Sequence, residues 1–191
     1  MASFTNATTR SAGYLVSAAN DWNVVASSLN FVGSGIAGTG YPAVMATSSA
    51  VTTLTANTWA SISFTTADEW DTATMHDTTT NPTRLTVPTS NGGLYAITAN
   101  VYANTNATSY PIQLMVRKNS AASASGGTFV AQMTGRLSTN ALLATGLQLQ
   151  TETRLVAADY IEIFVACESI STVSLIGTTF PHRFGLRWLS T

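Results

Sequence analysis

Charge is what this sequence has least of. Asp, Glu, Lys and Arg make up 9% of its 191 residues, where an average soluble domain has about 25%. Lysine occurs once, as Lys118, and the formal net charge is -1. That leaves no basic footprint for nucleic acid or for an anionic membrane surface. Cysteine also occurs once, as Cys167, which excludes an internal disulfide framework and a multi-cysteine zinc site. No apolar run approaches the roughly 18 residues that a membrane-crossing helix needs. The first ten residues carry no basic stretch followed by an apolar one, so no cleaved signal peptide is expected.

What remains is apolar or neutral-polar. Hydrophobic residues are 45% of the chain, and 32 threonines and 20 serines supply most of the polarity. Disordered chains combine low hydrophobicity with high charge, and this is neither. Threonine suits a strand, whereas Lys and Glu are depleted there. A neutral surface is also less costly to desolvate against another subunit than an ionic one. The composition therefore predicts an all-β protein that works within an assembly.

Residues 1–40 read differently from the rest. Ser17 is a candidate helix N-cap, with Asp21 in the following turn where the helix dipole favours an acid. Trp22, Val25, Leu29 and Val32 recur at spacings that draw one apolar stripe along a short helix. Such a helix is marginal alone in water. Its stripe must dock on its own domain, on symmetry mates or on a host structure. Gly33 to Gly40 is a linker by composition and also spells G-x-G-x-x-G. The dinucleotide fingerprint needs a preceding strand and an opening helix. A helical pattern precedes here, Gly40 and Pro42 would break a helix opening after it, and no βαβ alternation lies downstream.

From Tyr41 onward the pattern is strands and turns. Strand signals fall at 43–54, 59–64, 84–87, 94–103, 112–117, 128–134, 147–155, 160–168 and 184–189. In 94–103, Tyr95, Ile97, Ala99 and Val101 share one side. In 147–155, Gln148, Gln150, Glu152 and Arg154 face away from the apolar side. Eight to ten short strands with no helix between them predict a sandwich or barrel.

Residues 41–191 resemble the C1q/TNF-like jelly-roll superfamily. The resemblance rests on Asn57-Thr58-Trp59 before a strand, Leu85-Thr86-Val87-Pro88, and Gly93-Leu94-Tyr95-Ala96-Ile97 opening the long strand. It continues in the run Leu155 to Ile163, which matches an L-x-x-G-D-x-V-x-L element, and in Phe184-Gly185-Leu186. Ala158 stands where that element has glycine, and residues 89–92 lengthen one turn. Met75-His76-Asp77 and Asn81-Pro82 look like the bacteriophage version of the domain. The segment from Thr9 to Asn23 is similar to the leading segment of phage structural proteins.

The resemblance implies an antiparallel jelly-roll β-sandwich over 41–191 that assembles as a homotrimer without enzymatic activity or cofactor. It implies a virion structural protein, made in the host cytoplasm and placed on the outer surface of the particle. Residues 1–40 would be its attachment arm, helix and linker, with Trp22, Val25, Leu29 and Val32 as the attachment or assembly residues. Its partners would be capsid or fibre subunits. The alternative is a receptor-binding tip of a tail or head fibre contacting host glycan.

Candidate chemistry is sparse. His76 beside Asp77 is the one notable pairing, and a loop histidine with a structural hydrogen bond is the expectation. His182, after Pro181, is expected in a turn. Cys167 falls on the apolar side of its strand and is expected to be a buried small hydrophobe. Asp68, Glu69, Asp71 and Asp77 gather four of the nine acids. Clustered carboxylates on a loop are what Ca²⁺ takes, although the spacing matches no calcium loop. Residues 102–110, with two tyrosines and two asparagines, carry side chains of the type that stack on and hydrogen-bond sugars.

Overall fold

The computed structural model describes residues 41–104, 110–138, 144–168, 173–178 and 180–190. The expected arm, the Trp22/Val25/Leu29/Val32 stripe and the glycine linker all lie outside the described residues. Those that are described form thirteen strands and no helix.

Two antiparallel sheets face each other. The first contains β1 (Ala43–Ser48), β2 (Val51–Leu54), β4 (Trp70–Asp71), β7 (Gly93–Asn104), β10 (Thr145–Leu155), β12 (Val173–Ile176) and β13 (His182–Ser190). The second contains β3 (Ala60–Ser61), β5 (His76–Asp77), β6 (Asn81–Thr86), β8 (Pro111–Lys118), β9 (Thr128–Arg136) and β11 (Tyr160–Cys167).

Strand β7 centres the first sheet. It pairs with β10 along its whole length on one side, and with β13 and then β12 on the other. Its alternation is the reason it can do so: Tyr95, Ile97, Ala99, Val101 and Ala103 point inward and are buried, and the residues between them are half-exposed. The opposing sheet supplies Leu85 from β6, Ile112, Leu114 and Val116 from β8, and Ile161, Ile163, Val165 and Cys167 from β11. At roughly 1.5–3 kcal/mol for each large apolar side chain, this one core dominates the stability of the domain.

Three expectations change. The stretch 43–54 is two strands, because residues 49 and 50 interrupt it. Of 59–64 only Ala60–Ser61 pairs, yet Ile62 and Phe64 still point into the core as their alternation requires. Strands β4, β5 and β12 were not anticipated. β4 and β5 are two residues each, and β12 is four residues between β11 and β13.

Gly93 opens β7 at φ 153°, and a Cβ there would stand 2.1 Å from the Ser190 carbonyl oxygen. The close passage of β13 over β7 therefore needs glycine at this position. Ala158 presents the opposite case. It turns β10 into β11 at φ 66°, a left-handed conformation that costs a Cβ-bearing residue about 1 kcal/mol. The glycine expected there by resemblance would relieve it. Ala158→Gly should therefore raise the unfolding free energy by roughly 0.5–1 kcal/mol, read as a higher urea midpoint. An unchanged or lower midpoint would count against this strain.

Candidate assembly face

The outer surface of the first sheet is broad, and Arg154, Glu152, Arg187 and Arg183 stand on it among neutral side chains. Its rows follow from the register. Arg187, Ala96 and Glu152 lie side by side on β13, β7 and β10, and the next row holds Gly185, Thr98 and Gln150. Beyond it come Arg183, Asn100 and Gln148, then Tyr102 beside Gly146. Small residues on the central strand leave a shallow depression of about 380 Å³, lined by Ala96, Thr98, Gln150, Glu152 and Arg187 among others. At the far end the Tyr102 ring lies against Gly146, where an added Cβ would meet it at 3.0 Å. Phe180 stacks on Tyr102 at 5.1 Å between centroids and is itself 44% exposed.

One flank of the sandwich carries two long open edges. Among the described residues β10 pairs only with β7, and β9 only with β8. The two edges lie against each other across the core, where Leu147 of β10 reaches Gly135 of β9. Phe129 on β9 is 53% exposed. Long unpaired edges are ones that soluble proteins usually cover, twist away or charge.

The acidic segment does not present its carboxylates outward as a cation site. Asp71 accepts the backbone N–H groups of Ala73, Met75 and His76. Asp77 accepts those of Thr79 and Thr80 and the Thr79 hydroxyl, and these bonds hold its carboxyl well below the usual carboxylate range. Asp68 pairs with His76 Nδ1 at 2.7 Å, and Glu69 with Arg183 at 2.7 Å. All four acids thus serve their own fold, and among the described residues no cluster of three or more His, Cys, Asp or Glu stands ready for a metal.

His76 keeps the structural role expected of it, but its partner is Asp68 and not the adjacent Asp77. Its ring is buried, edge-on to Phe64. His182 is not in a turn. It opens β13, buried, where the ladder on β7 passes from β12 to β13. Tyr102 lies opposite that junction, and its N–H donates to His182 Nδ1 at 3.2 Å. The imidazole thus replaces a missing strand carbonyl. Cys167 is buried in the core as expected, and burial, with the Glu168 charge adding, pushes its thiol up to about 11.

Sequence reasoning missed a buried anion. Glu162 projects from the outer face of β11, yet it is fully buried. Its carboxylate accepts the Thr83 hydroxyl at 2.7 Å, the Ser120 hydroxyl at 2.5 Å and the Ala122 N–H at 2.9 Å. Arg84 and Arg117 flank it as register partners on either side. The segment 119–127 folds over the carboxylate, with Asn119, Ala121 and Ala122 all at positive φ. Nearby, Asp159 accepts from the Val156 N–H, the Asn119 amide and Lys118. Burial raises its pKa, but these contacts outweigh the burial and the net shift is downward.

No family model matches this chain, and no curated protein matches its sequence. Solved structures do match. Murine APRIL at pH 5.0 superposes with a TM-score of 0.56 at 8% identity, covering 78% of this chain and 99% of that one. Eiger TNF from S. frugiperda gives 0.54 at 17% identity, covering 78% and 93%. The globular domain of zebrafish complement 1qA protein gives 0.49 at 9% identity, covering 78% and 97%. The described domain is therefore a jelly roll of the TNF-like kind. At these identities the match defines the fold and no activity.

Two outcomes test the interior. Glu162→Ala leaves two hydroxyls and an N–H without their acceptor and should cost about 3 kcal/mol in urea unfolding, with Glu162→Gln costing less. A neutral Glu162→Ala would show that the loop does not depend on the carboxylate. Burial lowers the pKa of His182 below 6.5, against an opposing pull from the Ala50 carbonyl. The unfolded chain then takes up the proton first as pH falls. The contribution of His182 should be complete above pH ~6.5 and should fall below it, with a slope of at most about 1.4 kcal/mol for each step of one in pH. Stability measured from pH 7.5 to 5 should decline less steeply in His182→Asn, and identical slopes would refute the assignment.

Proposed function

We propose that this protein is a non-catalytic structural component of a bacteriophage particle, a trimeric capsid-decorating or appendage protein attached through residues 1–40. The observation that carries the trimer is the pairing of two surfaces on a TNF-like jelly roll. One is a broad sheet face of neutral residues with a few ions among them, and the other is a flank with two open strand edges. Face and flank differ, so their contact is head-to-tail, and a head-to-tail contact ends only when a ring closes. The fold likeness to APRIL and Eiger TNF supports that geometry. The phage setting rests on the sequence resemblance of residues 9–23 and 75–82. The work done is mechanical: each copy covers its neighbour's open edges, and the arm holds the ring to capsid or fibre subunits. No reaction, cofactor or nucleic acid enters this reading.

A second reading has its own observation. The ring pair of half-buried Tyr102 and exposed Phe180 is the kind of surface on which a sugar stacks, which favours a fibre tip contacting host glycan. Adsorption of the isolated domain to host cells would support the tip, and its failure to adsorb would favour decoration.

Light scattering should give near three times the 20.0 kDa chain mass. Deleting residues 1–40 should leave that ratio intact while abolishing incorporation into particles. A monomer at micromolar concentration would overturn the trimer, and particles decorated without the arm would overturn the attachment.

A further inference from the structure

Charged side chains are few here, and almost all of them have a partner within the chain. Lys118 is held by Asp159, Arg183 by Glu69, and Asp68 by His76. Arg84 lies over the Tyr160 ring at 4.3 Å. Arg117 donates to the Gly126 and Gly127 carbonyls, and Glu168 accepts from Gln113. Asp71, Asp77 and Glu162 are taken up by backbone and hydroxyl donors. Arg136 has a partner of its own. Among the described residues this leaves three charges unengaged: Glu152, Arg154 and Arg187. All three lie on the outer face of the first sheet.

Their placement is specific. Glu152 and Arg187 are both register partners of Ala96, one on each side. They form the two walls of the shallow depression, with a methyl group as its floor. Two strand spacings of about 4.8 Å separate their backbones, and they make no ion pair with each other. Arg187 lies within the face and Glu152 at its β10 side, so the guanidinium of one copy and the carboxylate of the next can meet where face and flank come together. Glu152 also sits on β10, the open edge that a neighbouring copy would cover.

We propose that Arg187 of one copy pairs with Glu152 of the next, so that the Ala96 notch is the contact that sets the register between subunits. The occupant is a second copy of this chain. The inference rests on the trimer reading above and adds the residues that specify it. Around a closed ring every copy gives its Arg187 guanidinium to one neighbour and its Glu152 carboxylate to the other, which pairs two of the three unengaged charges. The neutral row beside the notch, Gly185, Thr98 and Gln150, supplies area, and the ion pair supplies orientation.

The test is the double variant Glu152→Cys/Arg187→Cys under mild oxidation by copper-phenanthroline, with each single variant as control. Within one chain the two positions are too far apart to bridge, because a disulfide needs Cα atoms within about 7 Å. Cys167 is buried and does not compete. Covalent dimers and trimers on a non-reducing gel, in the double variant alone, are the expected result. A trimer by light scattering that neither cross-links nor responds to the charge reversals below overturns this contact and leaves the trimer standing. A monomer overturns both. As a check that does not depend on cysteine, Glu152→Arg and Arg187→Glu should each weaken assembly roughly 100-fold, and the combined swap should recover most of that loss. A swap no better than either single change would refute the pairing.

Discussion

Strand β7 is the constraint on which the rest depends. It is twelve residues long and is paired on both sides. Its inward residues include Tyr95, whose hydroxyl donates to the Asn91 carbonyl at 2.6 Å so that no polar atom is stranded in the core. Shifting this strand by one residue would turn five buried side chains outward. The register is therefore fixed by the core, and the outer face inherits it. Ala96 and Thr98 face outward because Tyr95, Ile97 and Ala99 must face inward. Arg187 and Glu152 share a row because both neighbours of β7 are locked to the same frame. The surface arrangement is thus a consequence of interior packing.

The polar interior follows the same economy. A fold with so few ions has placed several of them where they organise loops. Glu162 is the clearest instance. A buried carboxylate is costly unless its lone pairs are occupied and opposite charge is near. Here three donors and two flanking arginines meet both conditions. In return, the segment 119–127 holds left-handed backbone at three residues that have a Cβ. His182 plays a comparable part at the junction of β12 and β13, where a ring nitrogen stands in for a carbonyl that the ladder lacks. Asp71 and Asp77 do so for the turns around β5. These groups rigidify the sandwich, and none is arranged to attack or protonate a substrate.

The fold was legible wherever burial is one-sided. In 147–155 the alternation is strict, and the segment is a strand with the expected face inward; in 112–117 Ile112, Leu114 and Val116 point inward as expected, and the outward Met115 is buried as well. In 160–168 the inward set Ile161, Ile163, Val165 and Cys167 is also as expected. The outward Phe164, Ala166 and Glu162 are buried as well, because a distant loop and neighbouring side chains cover them, and no local pattern records that. Strands of two residues carry no periodicity, which is why β4 and β5 were invisible. β12 is too short to alternate for more than two turns of the pleat. The acidic segment was noticed for its composition. Its use was not readable, because the choice between a cation and a backbone N–H depends on where the carboxylate points. The resemblance to the C1q/TNF-like superfamily led to the right fold, and one of its departures, Ala158 for glycine, coincides with positive φ.

The low charge of the sequence takes on a sharper meaning in the fold. A surface rich in lysine and glutamate resists burial, because each ion must be desolvated before it can be paired. The outer face of the first sheet limits that cost, because alanine, threonine, asparagine, glutamine and glycine stand between its few ions. Such a face can be covered easily, but it can also be covered in many registers, since neutral side chains discriminate weakly between neighbours. A small number of ions placed within it would remove that ambiguity, because a misplaced copy would bury a charge without its partner. Three unengaged charges on one face, in a domain whose other ions are almost all satisfied internally, fit that division of labour. Neutral area would let the copies come together, and the ions would determine how.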